Sequence, residues 1–188
     1  MPRLIVLNGP PASGKSSLAR RYVSDHPLAL CLDIDVVRSL LGGWLDRSDA
    51  AGSAARTLAL AMARTHLEAG HDVAVPQFLA RPQLAEQLES LALEVHSTFV
   101  EIVVDLDPEQ MLERFARRTA ERERIEHRDA ADLLGRNDGL RDLVDMRQRM
   151  MAMLAGRPRA RWVTSREGDL DGTYRDVLAL VEAASARS

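Results

Sequence analysis

Ten residues near the start of the chain, Asn8-Gly9-Pro10-Pro11-Ala12-Ser13-Gly14-Lys15-Ser16-Ser17, limit its possible folds more than any other stretch. Gly9 to Ser16 fits the spacing G-x-x-x-x-G-K-S. Before it, Arg3-Leu4-Ile5-Val6-Leu7 is a short apolar run with β-branched members, as expected of a fully buried parallel strand. After it, Leu18-Ala19-Arg20-Arg21-Tyr22-Val23 begins with good helix formers. A strand before and a helix after is the context in which this spacing makes a phosphate loop. Gly9 and Gly14 permit positive φ and close backbone approach, so successive N–H groups can surround a phosphate. The next helix adds unpaired N–H groups and the positive end of its dipole. Lys15 would reach the β- and γ-phosphates and the Ser16 hydroxyl would ligate Mg²⁺. The residues expected to hold the nucleotide, read as ATP, are therefore Gly9, Pro10, Pro11, Ala12, Ser13, Gly14, Lys15, Ser16 and Ser17. Lys15 is also the only lysine in the chain, all other side-chain cations of that kind being arginine. A compact ammonium is thus kept at the one place where it suits better than a planar fork.

The 188 residues suffice for one α/β domain with a substantial core and are few for two. A net charge of −3 and a pI near 6.0 argue against a surface that grips long duplex nucleic acid. Aromatic residues at 4% make a multi-base stacking platform improbable. One cysteine, Cys31, sits in an apolar run as small buried filler, which excludes a disulfide framework and a cysteine zinc site. The histidines show no H-E-x-x-H spacing, so Mg²⁺ is the only metal implied. No apolar run approaches spanning length and no signal-peptide pattern precedes the first strand, so a cytoplasmic protein with no membrane partner is expected.

Taken in order, the chain alternates strand and helix. His26-Pro27 should break the first helix. Leu28 to Asp35 reads as a second buried strand, followed by a short helix from Val36 to Leu41 with Asp35 as N-cap. A long Ala-rich helix is expected from Asp49 to Ala69, then a strand at His71–Val75, a helix over residues 83–92, and a strand at Phe99–Asp105. Asp107-Pro108 opens the next helix in N-cap and N1 style. A dense mixed-charge segment, Thr119 to Arg128, precedes an amphipathic helix over 140–155 whose cluster Met146, Met150, Met151 and Met153 reads as core packing. A short strand, Arg161–Ser165, and a closing helix, Leu170–Ala184, complete the chain. Five such alternations predict a three-layer α/β/α fold around a five-stranded parallel sheet with right-handed crossovers. Ligands of such a sheet bind beyond the carboxyl ends of its strands, where Gly14, Asp33, Asp35, Gln77 and Asp105 fall.

Asp33 and Asp35 are two apart at the end of the second strand, so they would share one side while the strand lasts. A phosphoryl acceptor site needs a carboxylate that orients an incoming hydroxyl and takes its proton. Asp35 is favoured, because Arg38 lies one helical turn away and could grip an anionic or polar group on the same acceptor. Asp33 would hold the Mg²⁺ hydration shell or hydrogen-bond the Ser16 region.

The phosphate loop, Asp35-x-x-Arg38 and Arg114-x-x-x-Arg118 together resemble the P-loop small-molecule and polynucleotide kinase group. Polynucleotide 5′-hydroxyl kinases, chloramphenicol-type phosphotransferases and gluconate-type kinases are similar. The resemblance covers most of residues 3–182 and implies a single nucleoside-monophosphate-kinase-like P-loop NTPase domain over 1–188, with an arginine-rich helical lid over 114–139. It implies Lys15, Asp35 and Arg118 as catalytic residues, with Asp35 the general base and Arg118 on the transferring phosphoryl. Arg114 would lie beside the nucleotide, and the loop Ser165-Arg166-Glu167-Gly168 would border the adenine. Arg117, Arg122 and Arg124 are further lid candidates. Where the group often carries Asp, Ser or Thr after strand three, this chain has Val75-Pro76-Gln77, which adds no charge for a metal. Gln77 and Arg81 then join Asp33 and Arg38 as acceptor-binding residues, and Ser16 is the metal ligand. The activity implied is ATP-dependent transfer of a γ-phosphoryl group to a hydroxyl or phosphate of a small acceptor, such as a nucleoside, nucleotide, sugar or natural product. A polynucleotide 5′-hydroxyl kinase is the alternative, weakened by overall acidity and few aromatics. A nucleotide-binding regulatory module with little or no transfer is an alternative of another class.

Overall fold

The computed structural model describes residues 1–121 and 139–186. Its elements are β1 (Arg3–Asn8), α1 (Lys15–Asp25), β2 (Leu30–Cys31), α2 (Ile34–Ser39), α3 (Ser48–Glu68), β3 (Val73–Pro76) and α4 (Pro82–Glu94). They continue with β4 (Thr98–Asp105), α5 (Pro108–Glu121), α6 (Gly139–Leu154), β5 (Arg161–Thr164) and α7 (Leu170–Ser185). The five strands form one sheet in the order β2-β3-β1-β4-β5, and every pairing is parallel. β1 is therefore central, with Val6 opposite Val75 on one side and Glu101 on the other. The phosphate loop leaves its carboxyl end.

Because successive side chains alternate faces, β1 supplies both cores. Leu4 and Val6 pack with α2, α3 and α4, while Ile5 and Leu7 pack with α1 and α7. Each of the four is at most 1% exposed, which explains why the strand reads as an unbroken apolar run. α3 meets the first core through Ala55, Ala59 and Ala63, small residues one turn apart that bring its backbone close. Met150, with Met151 and Met153, packs against Val103 and Leu154, and Met146 packs beside Leu143 and Phe115, so the methionines are core as expected.

The helix boundaries have local causes. Asp107 Oδ1 accepts from the N–H groups of Glu109 (2.9 Å) and Gln110 (3.4 Å), capping α5 as expected. Gly70, just past α3, has φ of 89°, the left-handed turn that ends a helix at little cost for glycine. The second strand differs from expectation. It is two residues long rather than running from Leu28 to Asp35, because Leu28 is left-handed (φ 63°) and Asp33 already caps α2. Asp33 Oδ1 accepts from Asp35 N–H at 3.1 Å, so Asp33, not Asp35, is the N-cap. A carboxylate two residues ahead of a free N–H competes with strand pairing and wins once the ladder to β3 ends. Asp33 and Asp35 thus do not share a strand face; Asp35 occupies the first turn of a helix.

A buried ionic link braces the far side of the sheet. Glu101 on β4 is 5% exposed and accepts from Arg157 Nε at 2.6 Å, while Arg157 Nη2 donates to Glu89 of α4 at 2.8 Å. Burial pushes the Glu101 carboxyl up, against the opposing pull of Arg157.

Candidate functional site

The loop between β1 and α1 turns on two backbone features. Gly9 has φ of 155°, and a Cβ there would lie 2.3 Å from Val104 O and 2.8 Å from Ser13 Oγ. No side chain fits, since the first contact is backbone of the neighbouring strand. Gly14 has φ of 90° and serves as the N-cap of α1, directing Lys15, Ser16 and Ser17 into its first turn. Lys15 Nζ donates to Pro10 O at 2.7 Å and lies 3.4 Å from Ser13 Oγ, so the ammonium spans the loop from inside. Ala12 is left-handed (φ 64°) and packs on the cluster of Leu106, Met111, Phe115 and Leu143, which seats the loop against α5 and α6.

Asn8 is a site residue the sequence reading missed. It is fully buried; its Oδ1 accepts from Gly9 N–H (2.8 Å) and Leu79 N–H (2.9 Å), and its Nδ2 donates to Leu79 O at 3.3 Å. One amide therefore fixes the entry of the phosphate loop to the loop after β3. The only available signal was a polar residue closing an apolar strand.

Asp33 stands beside the loop. Its Oδ2 is 3.4 Å from Ser16 Oγ, and its other oxygen caps α2. A hydroxyl beside a carboxylate is an oxygen pair of the kind Mg²⁺ takes, so these residues fit that ion. Among the described residues no group of three or more His, Cys, Asp or Glu could hold a metal by itself. β3 ends at Pro76-Gln77 without a carboxylate, and Gln77 N–H extends the ladder to Leu7 O at 3.1 Å.

Asp35, Arg38, Gln77 and Arg81 converge on one cavity of about 520 Å³, walled by α2, α3, the loop after β3 and the start of α4. Arg38 Nη2 is 3.3 Å from Asp35 Oδ1, and its guanidinium lies over the Trp44 ring, 5.1 Å from the centroid. Arg38 Nε and Gln77 Oε1 are buried with no hydrogen-bond partner in the protein. Buried polar atoms are nearly always paired, so a donor group opposite Gln77 and an acceptor opposite Arg38 would complete this cavity. Arg56 of α3 lines it too and was not singled out from sequence. It lay hidden in an alanine-rich helix, where an arginine reads as solvated surface.

The residues expected near the nucleotide base also meet. Arg114 Nη1 donates to Ser165 Oγ at 2.9 Å and Arg117 Nη1 to Glu167 Oε1 at 3.2 Å, joining α5 to the loop that carries Gly168 (φ 69°). Asp105 at the end of β4 accepts from Arg147 of α6 at 3.2 and 3.3 Å. Arg118 lies on α5, but its side chain falls outside the described residues, as do Arg122, Arg124 and most of the 114–139 lid.

No curated protein matches the sequence. Solved structures share the fold. The Chaetomium thermophilum Kti12 structure, in complex with ADP-AlF3, is 20% identical with a TM-score of 0.65, covering 96% of this chain and 98% of that one. A gluconokinase from Sinorhizobium meliloti 1021 is 18% identical with a TM-score of 0.61, covering 98% and 95%. The Mycobacterium tuberculosis APS kinase CysC, in complex with AMPPNP and APS, is 17% identical with a TM-score of 0.60, covering 96% and 98%. These likenesses establish the nucleoside-monophosphate-kinase-like P-loop fold expected from the sequence. The sequence model described as AAA domain matches residues 4–143, from β1 through the phosphate loop and the cavity into α6, and the chain belongs to that family of P-loop domains.

Proposed function

We propose that this protein is an ATP-dependent kinase that transfers the γ-phosphoryl group to a hydroxyl of a small acceptor bound in the 520 Å³ cavity. The observation that carries the reading is the pairing of a phosphate loop with an adjoining cavity whose wall presents Asp35 and Arg38, held 3.3 Å apart. The loop N–H groups and Lys15 would hold the triphosphate, and Mg²⁺, held through Ser16, would supply neutralisation of its charge. Asp35 accepts the acceptor's hydroxyl proton as that oxygen bonds to the γ-phosphorus. The bond from phosphorus to the β,γ-bridging oxygen breaks, and ADP leaves with that electron pair. Arg38 neutralises Asp35 and fixes its rotamer, while Arg118, and with it Arg114, would serve the nucleotide side. A phosphate in place of the hydroxyl could be served by the same cavity.

A second reading, a nucleotide-binding regulatory module, is favoured by one observation: β3 ends in Pro76-Gln77 with no carboxylate for the metal. Radiolabelled γ-phosphate transfer from ATP across nucleosides, nucleotides, sugars, phenicols and oligonucleotides separates the readings. Labelled small acceptor supports the kinase; label on oligonucleotides alone makes it a polynucleotide kinase; nucleotide binding with no transfer to any of them supports the module. On the acceptor found, Asp35→Asn should lower the transfer rate by about 10²–10⁴-fold with nucleotide affinity unchanged. Wild-type turnover in that variant would remove Asp35 as base.

A further inference from the structure

The cavity's charge says more about the acceptor than its size. Of its lining side chains three are arginines, Arg38, Arg56 and Arg81, against one carboxylate, Asp35. Asp35 is engaged by Arg38. Arg56 and Arg81 have no ion-pair partner among the described residues, whereas Arg38 is paired with Asp35 within the same cavity. A chain with net charge −3 thus gathers two unanswered guanidinium groups at one concavity. Low-dielectric walls concentrate such a field on an entering anion.

Gly52, four residues before Arg56 on α3, also lines the cavity, and a Cβ there would meet Arg56 Nη1 only at ordinary contact distance, 3.5 Å. Arg81 is set by the turn into α4, where Pro82 takes the first helical position. The two arginines come from different elements and both line the cavity.

Resting on the kinase reading of this cavity, we infer that the acceptor carries an oxyanion, a carboxylate or a phosphate, bound by Arg56 and Arg81 while its hydroxyl meets Asp35. Planar forks suit either oxyanion bidentately, so the shared chemistry is fixed and the source is left to experiment. Arg56 and Arg81 are specificity-determining residues; they touch the end of the acceptor away from the reacting oxygen.

The test reads binding and transfer separately. With the phosphate loop filled by AMPPNP and Mg²⁺, inorganic phosphate or malonate is titrated to 10 mM at constant ionic strength, and unfolding is followed by calorimetry in the wild type and in Arg56→Gln/Arg81→Gln. For a millimolar site the wild type should gain about 3–6 °C, and the double variant none, with its response to AMPPNP retained as proof of folding. Arg56→Lys/Arg81→Lys should keep part of the gain. The anion preferred, phosphate or malonate, names the source. No gain in the wild type, or an equal gain in the double variant, overturns the inference whatever the enzyme's activity. Transfer is then compared between matched acceptors, a sugar acid against its neutral sugar and a nucleoside monophosphate against its nucleoside. A preference of about 10-fold or more for the anionic member, lost in the double variant chiefly through KM, supports the inference; equal rates on both members defeat it while leaving the kinase reading standing. Absence of all transfer with the anion-dependent gain intact defeats the kinase reading alone.

Discussion

Replacing Asn8 by alanine should be among the most costly single changes in this chain. The substitution removes the amide that satisfies Gly9 N–H, Leu79 N–H and Leu79 O, at 2.8, 2.9 and 3.3 Å, all in a residue with no exposure. An orphaned buried polar group costs about 1–3 kcal/mol. Counting the two short bonds near the middle of that range and the long one at its foot, the loss comes to about 5 kcal/mol. Against a total of about 5–15 kcal/mol that is a large share, equivalent to a fall in Tm of about 10–20 °C for a chain of this size. Urea unfolding followed by far-UV circular dichroism measures it. Asn8→Asp separates the causes: it keeps an acceptor for both N–H groups but sets a carboxylate oxygen against Leu79 O in a buried place, so it should also be destabilising. A loss below about 1 kcal/mol for Asn8→Ala would refute the reasoning, because it would mean that water replaces the amide and the two loops are not rigidly joined.

Gly9→Ala places a Cβ 2.3 Å from Val104 O, and should cost more stability than Gly14→Ala, where nothing lies within 4 Å and only the φ of 90° opposes the change. The second should cost about 1–2 kcal/mol; an equal or reversed order in urea titrations would show that the loop moves off β4 freely. Alkaline pH should destabilise the protein through Tyr22 and Tyr174. Burial, then the bond to Asp72 (2.6 Å), pushes the Tyr22 phenol well above its ordinary value, and burial pushes Tyr174 up to about 12. Folding therefore favours the protonated phenols, so stability is level below pH 10 and falls as pH rises above it. Tyr22→Phe should flatten that fall in urea midpoints measured from pH 9 to 11; an unchanged slope would place the pH dependence elsewhere.

The parts of the fold legible in the sequence are those with one dominant cause. An apolar run such as Leu4–Leu7, buried on both faces, can only be a central strand, and Gly9 and Gly14 fix the loop because their backbone conformations admit little else. The boundary at strand two was not legible in the same way. Leu28 to Asp35 has the composition of a strand, yet the choice between ladder and helix cap at Asp33 depends on where β3 stops offering partners, a long-range fact. Asn8 and Arg56 escaped for a related reason. An asparagine at a strand end and an arginine on an alanine-rich helix acquire their roles from loops and walls distant in sequence. The phosphate loop is nearly contiguous and readable as one motif; the cavity assembles from separate stretches, and of its polar lining Asp35, Arg38, Gln77 and Arg81 were picked out while Arg56 was not.

The solitary lysine has a consequence for handling the protein. Lys15 is the only side-chain amine in the chain, and it lies within the phosphate loop with its Nζ against Pro10 O. Amine-directed chemistry can therefore attach only at the terminal amine or inside that loop. Cross-linkers aimed at lysine have no second residue to join, and coupling to an amine-reactive chip either tethers the chain by its terminus or plugs the loop with the tether. The same scarcity makes a single acylation site report directly on whether the loop is occupied.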